Sequence, residues 1–155
     1  MQRIITGKVN PKHYKARFVF TGCIDNRFSD PDPEPGYINL VKEFIKFKGK
    51  ERFDPLEMPG GAKVFASPAS EFEKEYWLGA LGDSITLHKP EEVCLWVHIA
   101  CGKYGKSFDD STAEQEFYFA ELAKAEQVVT DYLKRINYAA KVEKYYADWD
   151  GLWLV

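Results

Sequence analysis

The sequence predicts an α/β fold in which a parallel sheet carries helices on both faces. Short segments rich in β-branched and aromatic residues alternate along the chain with longer segments whose apolar residues recur every three or four positions. One short segment, residues 92–99, is apolar almost throughout, which is typical of a strand covered on both sides. The chain has 155 residues, 45% hydrophobic and 29% charged, and we expect a single domain over residues 1–155.

The first strand and the first helix are predicted on either side of a turn. Residues 16–24 are short and rich in phenylalanine and β-branched side chains, and the proline-rich stretch 30–36 that follows favours a turn. Residues 37–48 place apolar side chains at helical spacing. Gly49 follows as the expected C-terminal cap of this helix.

A second strand and a second helix are predicted next. Residues 51–58 form a short, weakly patterned strand that ends at a Pro-Gly-Gly turn. Ser70 and Glu73 have the spacing of a capping box at the start of a helix over residues 70–87. The apolar residues expected on the core face of this helix are Phe72, Tyr76, Trp77, Ala80, Leu81 and Ile85.

The last third of the chain follows the strand over residues 92–99. Ser111 and Glu114 repeat the capping-box spacing and start the longest predicted helix, whose apolar stripe continues to Ile136. Residues 141–146 have the composition of a strand, and a turn separates them from the apolar residues 152–155. This pattern predicts a closing hairpin with an edge strand.

Charge and cysteine content exclude some classes of partner. Lysine and arginine number 21 against 24 acidic residues, a net charge of −3, so we expect no nucleic-acid partner. No apolar run approaches the roughly 18 to 20 residues of a membrane span, and the first five residues lack the apolar core of a signal peptide. Three cysteines cannot all pair within one chain. We therefore expect a cytoplasmic protein with reduced thiols and no membrane partner.

Chemically distinctive residues follow two of the predicted strands. Cys23 comes at the end of the first strand, and His98 and Cys101 come at the end of the strand over residues 92–99. In open α/β sheets ligands bind at the carboxyl ends of strands. Two thiols and one imidazole are ligands that zinc prefers, and three protein ligands leave a fourth position for water or substrate. Each residue alone also fits a structural role in the core.

Asp25 and Arg27 share an extended segment with Cys23, so the three side chains are expected to point to one side. A carboxylate at that place either takes the fourth position on the metal or is held back by a bidentate arginine and accepts a proton from metal-bound water. An ordinary surface ion pair is the remaining interpretation.

The other cysteine and the other histidines receive structural interpretations. Cys94 lies in the middle of an apolar strand and is expected in the core. His13 and His88 lie in polar or terminal stretches and are expected to face solvent.

The two segments resemble the signature of β-class carbonic anhydrases, Cys-x-Asp-x-Arg followed by His-x-x-Cys-Gly. The matching residues are Cys23, Asp25, Arg27, His98, Cys101 and Gly102. The resemblance implies a parallel sheet in the order 2-1-3-4 and zinc bound by the two cysteines and the histidine. It also implies an aspartate–arginine dyad that controls the fourth ligand, and reversible hydration of carbon dioxide to bicarbonate by zinc-bound hydroxide. Family members are usually dimers or larger, so the resemblance implies a homodimer.

This chain also departs from the family. Where members commonly have Arg-Asn-Ala-Gly after the second strand, this chain keeps only the glycine turn at Gly60 and Gly61, which with Gly102 are candidates for the substrate pocket. About 15 residues precede the first strand, so a long N-terminal arm is not expected. A hydrolase for carbonyl sulfide or carbon disulfide remains an alternative, and so does a non-catalytic zinc-binding or redox-sensing protein.

Overall fold

The computed structural model describes residues 12, 14–49 and 52–155. Within these residues, five strands form one sheet and four helices pack on it. Short 3₁₀ turns at Asn26–Phe28 and Gly102–Tyr104 follow the first and third strands. In chain order the strands and helices are β1 (Phe18–Thr21), α1 (Leu40–Phe47), β2 (Phe53–Pro55), α2 (Lys63–Ala66), α3 (Glu71–His88), β3 (Glu92–His98), α4 (Ser111–Arg135), β4 (Lys141–Ala147) and β5 (Leu152–Leu154).

The strand order is β2-β1-β3-β4-β5. β1 pairs in parallel with β2 and β3, β3 pairs in parallel with β4, and β5 closes the sheet antiparallel to β4. The predicted α/β class, the order 2-1-3-4 and the C-terminal hairpin are therefore confirmed. The register places Phe18 beside Glu92 and Thr21 beside Leu95, so β1 and β3 run side by side toward the same edge.

The sheet is covered by helices on both faces, as predicted. Val19 and Leu95 point to the face where α3 and α4 supply buried residues such as Leu81 and Leu122. Alternate residues on the same strands point to the opposite face. The buried side chains on that face are Phe18, Phe20, Cys94 and Trp96 from the strands, with Leu40 and Phe44 from α1.

The first helix begins three residues later than predicted. Asn39 is its N-cap and accepts a hydrogen bond from the Lys42 amide at 2.7 Å, while its side-chain amide donates to the carbonyls of Ser29 and Asp30. These contacts hold the preceding residues outside the helix. The prediction was wrong for Tyr37 and Ile38, which are largely exposed.

The first two strands are shorter than predicted. Beyond Pro55, the amides of Leu56 and Met58 still donate to the carbonyls of Phe20 and Gly22, so β2 continues as irregular backbone along β1. The short helix α2 follows the glycine turn and was not predicted. Residue 51, where the predicted strand began, lies outside the described residues.

The second predicted helix is α3, and Ser70 caps it as predicted by accepting from the Glu73 amide at 3.1 Å. The expected core stripe was wrong at its start. Phe72 and Tyr76 are 80% and 61% exposed, because α3 packs on the core mainly through its second half. The residues of α3 that are buried are Leu78, Leu81, Ser84 and Ile85.

The longest helix, α4, has Asp110 rather than Ser111 as its N-cap, and Asp110 accepts from the Ala113 amide at 2.8 Å. The predicted capping box at this end is therefore wrong, and the Glu114 carboxylate is turned toward the loop after β3 instead. None of the described helices combines the length and the apolar character that crossing a bilayer requires.

The structure also corrects the interpretation of His88. Its Nδ1 atom lies 2.9 Å from both carboxylate oxygens of Asp54, and its ring stacks on Tyr14 with 4.4 Å between centroids. His88 is thus a partly buried residue at the end of α3 that ties this helix to β2. His13 lies outside the described residues.

Candidate metal centre

Cys23, His98 and Cys101 meet where β1 and β3 end. His98 is the last residue of β3, Cys101 follows three residues later, and Cys23 lies two residues beyond β1. The two sulfurs and a ring nitrogen of His98 all lie within 4.8 Å of one another. In a tetrahedral zinc site such donor atoms are about 3.5 to 3.8 Å apart, as follows from the usual metal–ligand distances. Small side-chain movements therefore bring the three groups to the spacing of a shared ion.

The His98 ring presents one nitrogen to this site. Its Nδ1 atom lies 2.7 Å from the Ile99 carbonyl oxygen, so Nδ1 carries the ring proton and donates a hydrogen bond to that oxygen. The Nε2 atom is buried and has no hydrogen-bond partner in the described part of the chain. An unprotonated ring nitrogen that is buried without a hydrogen-bond donor has a free lone pair, which a metal ion would accept.

The two thiols interact with each other. The pKa of the Cys23 thiol lies well below its usual value, chiefly because the Cys101 thiol donates a hydrogen bond to it, and the same contact raises the pKa of Cys101. The Gly60 amide also donates to the Cys23 sulfur at 3.3 Å. Cysteine binds a metal ion as the thiolate. These contacts therefore favour the charge state in which Cys23 would bind a cation.

Asp25 and Arg27 form a bidentate pair beside the sulfurs. Arg27 Nε donates to Asp25 Oδ1 at 2.9 Å, and Nη2 donates to Oδ2 at 2.5 Å. These hydrogen bonds hold the pKa of the Asp25 carboxyl below its usual value, so it is ionised at neutral pH. Asp25 Oδ2 lies 3.9 Å from His98 Nε2, close enough to receive a proton from a molecule bound between them.

The glycine turn lies close to the backbone of the strands that carry the candidate ligands. Gly61 has φ +56°, and a Cβ atom there would lie 2.4 Å from the Trp96 carbonyl oxygen and 3.4 Å from the Cys23 amide. Only glycine lets this loop approach β3 so closely. A Cβ on Gly102 would meet nothing within 4 Å. The role of Gly60, Gly61 and Gly102 in a substrate pocket stays a prediction.

A small cavity of about 10 Å³ adjoins the site. This is close to the space that one water molecule requires. Most of its wall is apolar, and none of the three candidate glycines lines it. The residues around it are Phe20, Cys23, Asp25, Phe28, Val41, Trp96, Val97 and His98. Phe28 also lines a larger surface cavity of about 600 Å³ that contains Arg27 and Trp149, so movement of Phe28 would join the two spaces.

Two residues of α4 that sequence reasoning missed hold the loop between His98 and Cys101. Glu114 accepts a hydrogen bond from the Ala100 amide at 2.7 Å, and the buried Tyr118 hydroxyl accepts one from the Cys101 amide at 3.1 Å. Their spacing of four residues, which places both on one helix face, is the signal that could have found them.

A second group of potential ligands lies on β3 and the neighbouring β4, farther from the carboxyl ends of the strands, and with Lys48 we name it the lysine cluster. Donor atoms of Glu92, Cys94 and Glu143 lie within 4.8 Å of one another. Lys48, at the end of α1, donates hydrogen bonds to both carboxylates, at 2.8 Å in the case of Glu143. Cys94 is fully buried beside them, as predicted, and burial raises the pKa of its thiol to about 12.

Two solved structures are similar to this chain at low sequence identity. A carbonic anhydrase from Streptococcus mutans matches with 14% identity and a TM-score of 0.49, over 97% of this chain and 87% of the other. A β-carbonic anhydrase isoform from Trichomonas vaginalis matches with 13% identity and a TM-score of 0.47, with the same coverage of both chains. Neither a protein-family model nor a curated protein matches the sequence.

Proposed function

We propose that this protein is a zinc-dependent enzyme that hydrates carbon dioxide reversibly to bicarbonate. The observation that carries the proposal is the buried His98 Nε2 atom, which has no partner among the described residues and lies with two thiols at the carboxyl end of the sheet. The resemblance of the six motif residues to β-class carbonic anhydrases supports the same reaction.

Cys23, His98 and Cys101 would hold the zinc ion. Bound zinc lowers the pKa of a coordinated water toward neutrality and so supplies hydroxide as a nucleophile. Asp25, kept ionised by Arg27, accepts a proton at Oδ2. The apolar rings of Phe20 and Phe28 exclude bulk water from the adjoining cavity, which favours an uncharged substrate over an ionic one. Since two thiolates offset the +2 charge of zinc, we expect activity to rise above neutral pH.

We propose that residues 1–155 act as one domain, that the substrate is a small molecule, and that two copies form a homodimer. A cytoplasmic location would suit thiol ligands, because a reducing compartment keeps them available for metal.

The size of the cavity favours one alternative. At about 10 Å³ it holds one water molecule, and carbon dioxide would fit only after Phe28 or another wall residue moves. A protein that binds zinc without catalysis has no need of such movement. Carbonyl sulfide or carbon disulfide as substrates are larger still and remain the other alternative.

Metal analysis and stopped-flow carbon dioxide hydration on the same samples test the proposal. We expect one zinc ion per chain in the wild type, with hydration rates that increase between about pH 6 and 9. The Cys101→Ala variant should lose both metal and activity, whereas Cys94→Ala, which removes a thiol outside the site, should keep both. Stoichiometric zinc without hydration would contradict the proposed reaction. Sulfide release from carbonyl sulfide, measured in parallel, would identify the alternative substrate.

A further inference from the structure

The loop that joins His98 to Cys101 has a backbone conformation that its sequence does not favour. Ala100 has φ +52°, in the left-handed region where the Cβ atom of an L-residue crowds the following carbonyl. Ala100 is also exposed, so packing of its side chain does not hold it there. Other contacts must keep the two candidate ligands at their present separation.

Hydrogen bonds hold both the amide and the carbonyl group of Ala100. Its amide donates to Glu114 Oε1 at 2.7 Å, and its carbonyl accepts a hydrogen bond from Arg27 Nη2 at 3.1 Å. Arg27 also binds Asp25, so one residue of the loop connects α4 to the dyad.

Helix α4 packs into the core close to Glu114, so it can hold the loop in place. Four residues after Glu114, the side chain of Tyr118 is 1% exposed, and its hydroxyl accepts the Cys101 amide hydrogen at 3.1 Å. The amides of Ala100 and Cys101 are thus fixed by acceptors one helical turn apart on a 25-residue helix.

We propose that Glu114 is a positioning residue that holds Ala100 in its left-handed conformation and thereby sets the affinity of the site for a tetrahedral divalent ion. The inference rests on the metal-binding part of the proposed function and does not depend on the reaction. Contacts to residues that orient metal ligands commonly change metal affinity by about 10- to 100-fold.

Competition with a chelator, using zinc and cobalt(II) as probes, measures the effect on the full chain. Glu114→Ala should bind both metals about 10-fold or more weakly and change the visible absorption of bound cobalt. Glu114→Gln keeps an acceptor oxygen and should restore most of the affinity. The control is Glu116→Ala, because Glu116 is exposed on the same helix and carries the same charge.

A second background tests the conformational step. Glycine adopts positive φ freely, so Glu114→Ala should cost less metal affinity in an Ala100→Gly protein than in the wild type. Exchange of the Ala100 amide hydrogen in metal-free protein gives an independent readout, and Glu114→Ala should accelerate it.

Three results would overturn the inference: wild-type affinity in Glu114→Ala, an equal loss in Glu114→Gln, or the same penalty in the Ala100→Gly background. A wild type that bound neither metal would overturn it as well. Since hydration activity is not measured, a protein that binds metal as described but does not hydrate carbon dioxide would contradict only the proposed function.

Discussion

The candidate metal centre and the lysine cluster both include residues of β3 and contain similarly spaced donor atoms, yet they differ in what those atoms contact. β3 contributes His98 to the first group and Glu92 and Cys94 to the second. In the lysine cluster both carboxylates accept hydrogen bonds from the Lys48 ammonium group. In the candidate metal centre His98 Nε2 has no partner among the described residues. Proximity of donor atoms is therefore weaker support for a metal site than a donor atom left unsatisfied.

The largest expected difference between the two groups is in zinc affinity. His98→Ala should weaken zinc binding by about 300-fold, because roughly a third of a binding free energy near 10 kcal/mol is lost with one of three ligands. Cys94→Ala should leave zinc binding unchanged. Chelator competition on both variants measures their zinc affinity. Loss of zinc binding in Cys94→Ala would show that zinc binds at the lysine cluster instead.

Removal of the lysine should destabilise its cluster. Lys48, Glu92 and Glu143 are only 10% to 12% exposed, so Lys48→Met removes the buried cation that both carboxylates share. Glu92 keeps Arg17 and Glu143 keeps Lys141 as partners, and we therefore expect a loss of about 2 kcal/mol of unfolding free energy. Lys46→Met is the control on the same helix, since Lys46 forms a surface pair with Glu43 and should cost less than about 1 kcal/mol.

Urea unfolding at pH 7 measures both variants. Equal losses for the two lysines would show that the buried position has no special role. If Lys48 acts as the cation of the cluster, added Mn²⁺ should stabilise Lys48→Met more than it stabilises the wild type.

Substitution of Gly61, whose backbone lies close to the candidate metal centre, should lower the stability of the protein. Gly61→Ala places a Cβ atom 2.4 Å from the Trp96 carbonyl oxygen at a positive φ, and we expect a loss of about 2 kcal/mol of unfolding free energy. Gly79→Ala, in an open position within α3, should instead stabilise the protein by about 0.5 to 1 kcal/mol. Thermal unfolding of both variants decides this, and equal effects would contradict the close approach.

The smallest expected effect is a pH dependence within the lysine cluster. Burial alone would raise the pKa of Glu143, but hydrogen bonds from Lys141, Lys48 and Tyr145 outweigh burial and lower that pKa to about 2 from 4.5. Since the pKa is lower in the folded state, the stabilisation is present above about pH 4.5 and is lost as the pH falls toward 2. Partial solvent screening limits it to about 1 kcal/mol.

Urea unfolding of the wild type and Glu143→Gln at pH 6 and pH 3 measures this contribution. The difference in unfolding free energy between the two proteins should shrink by roughly 0.5 kcal/mol at pH 3, because a carboxyl with a folded-state pKa of about 2 is still largely ionised there. A difference that stays constant across this range would mean that the Glu143 pKa is not lowered.

The sequence was sufficient to predict the sheet and the residues that meet at the carboxyl ends of β1 and β3, because both predictions depend on strong local signals. The apolar run of β3 and the residue types at positions 23, 98 and 101 are visible without coordinates. The start of α1 was not predictable, since it depends on hydrogen bonds from Asn39 to a loop ten residues earlier. Glu114 was misassigned for a related reason. Its spacing from Ser111 fits a cap, and only the packing of α4 shows that the carboxylate contacts Ala100 instead.

The pairing of β1 with β3 has a consequence for the synthesis of the protein. Cys23 leaves the ribosome long before the residues that meet it, since β2, α2 and α3 are all translated in between. A growing chain therefore carries an unprotected sulfur until the third strand has joined the first. A metal ion held by all three candidate ligands would bind only after that event, late in maturation.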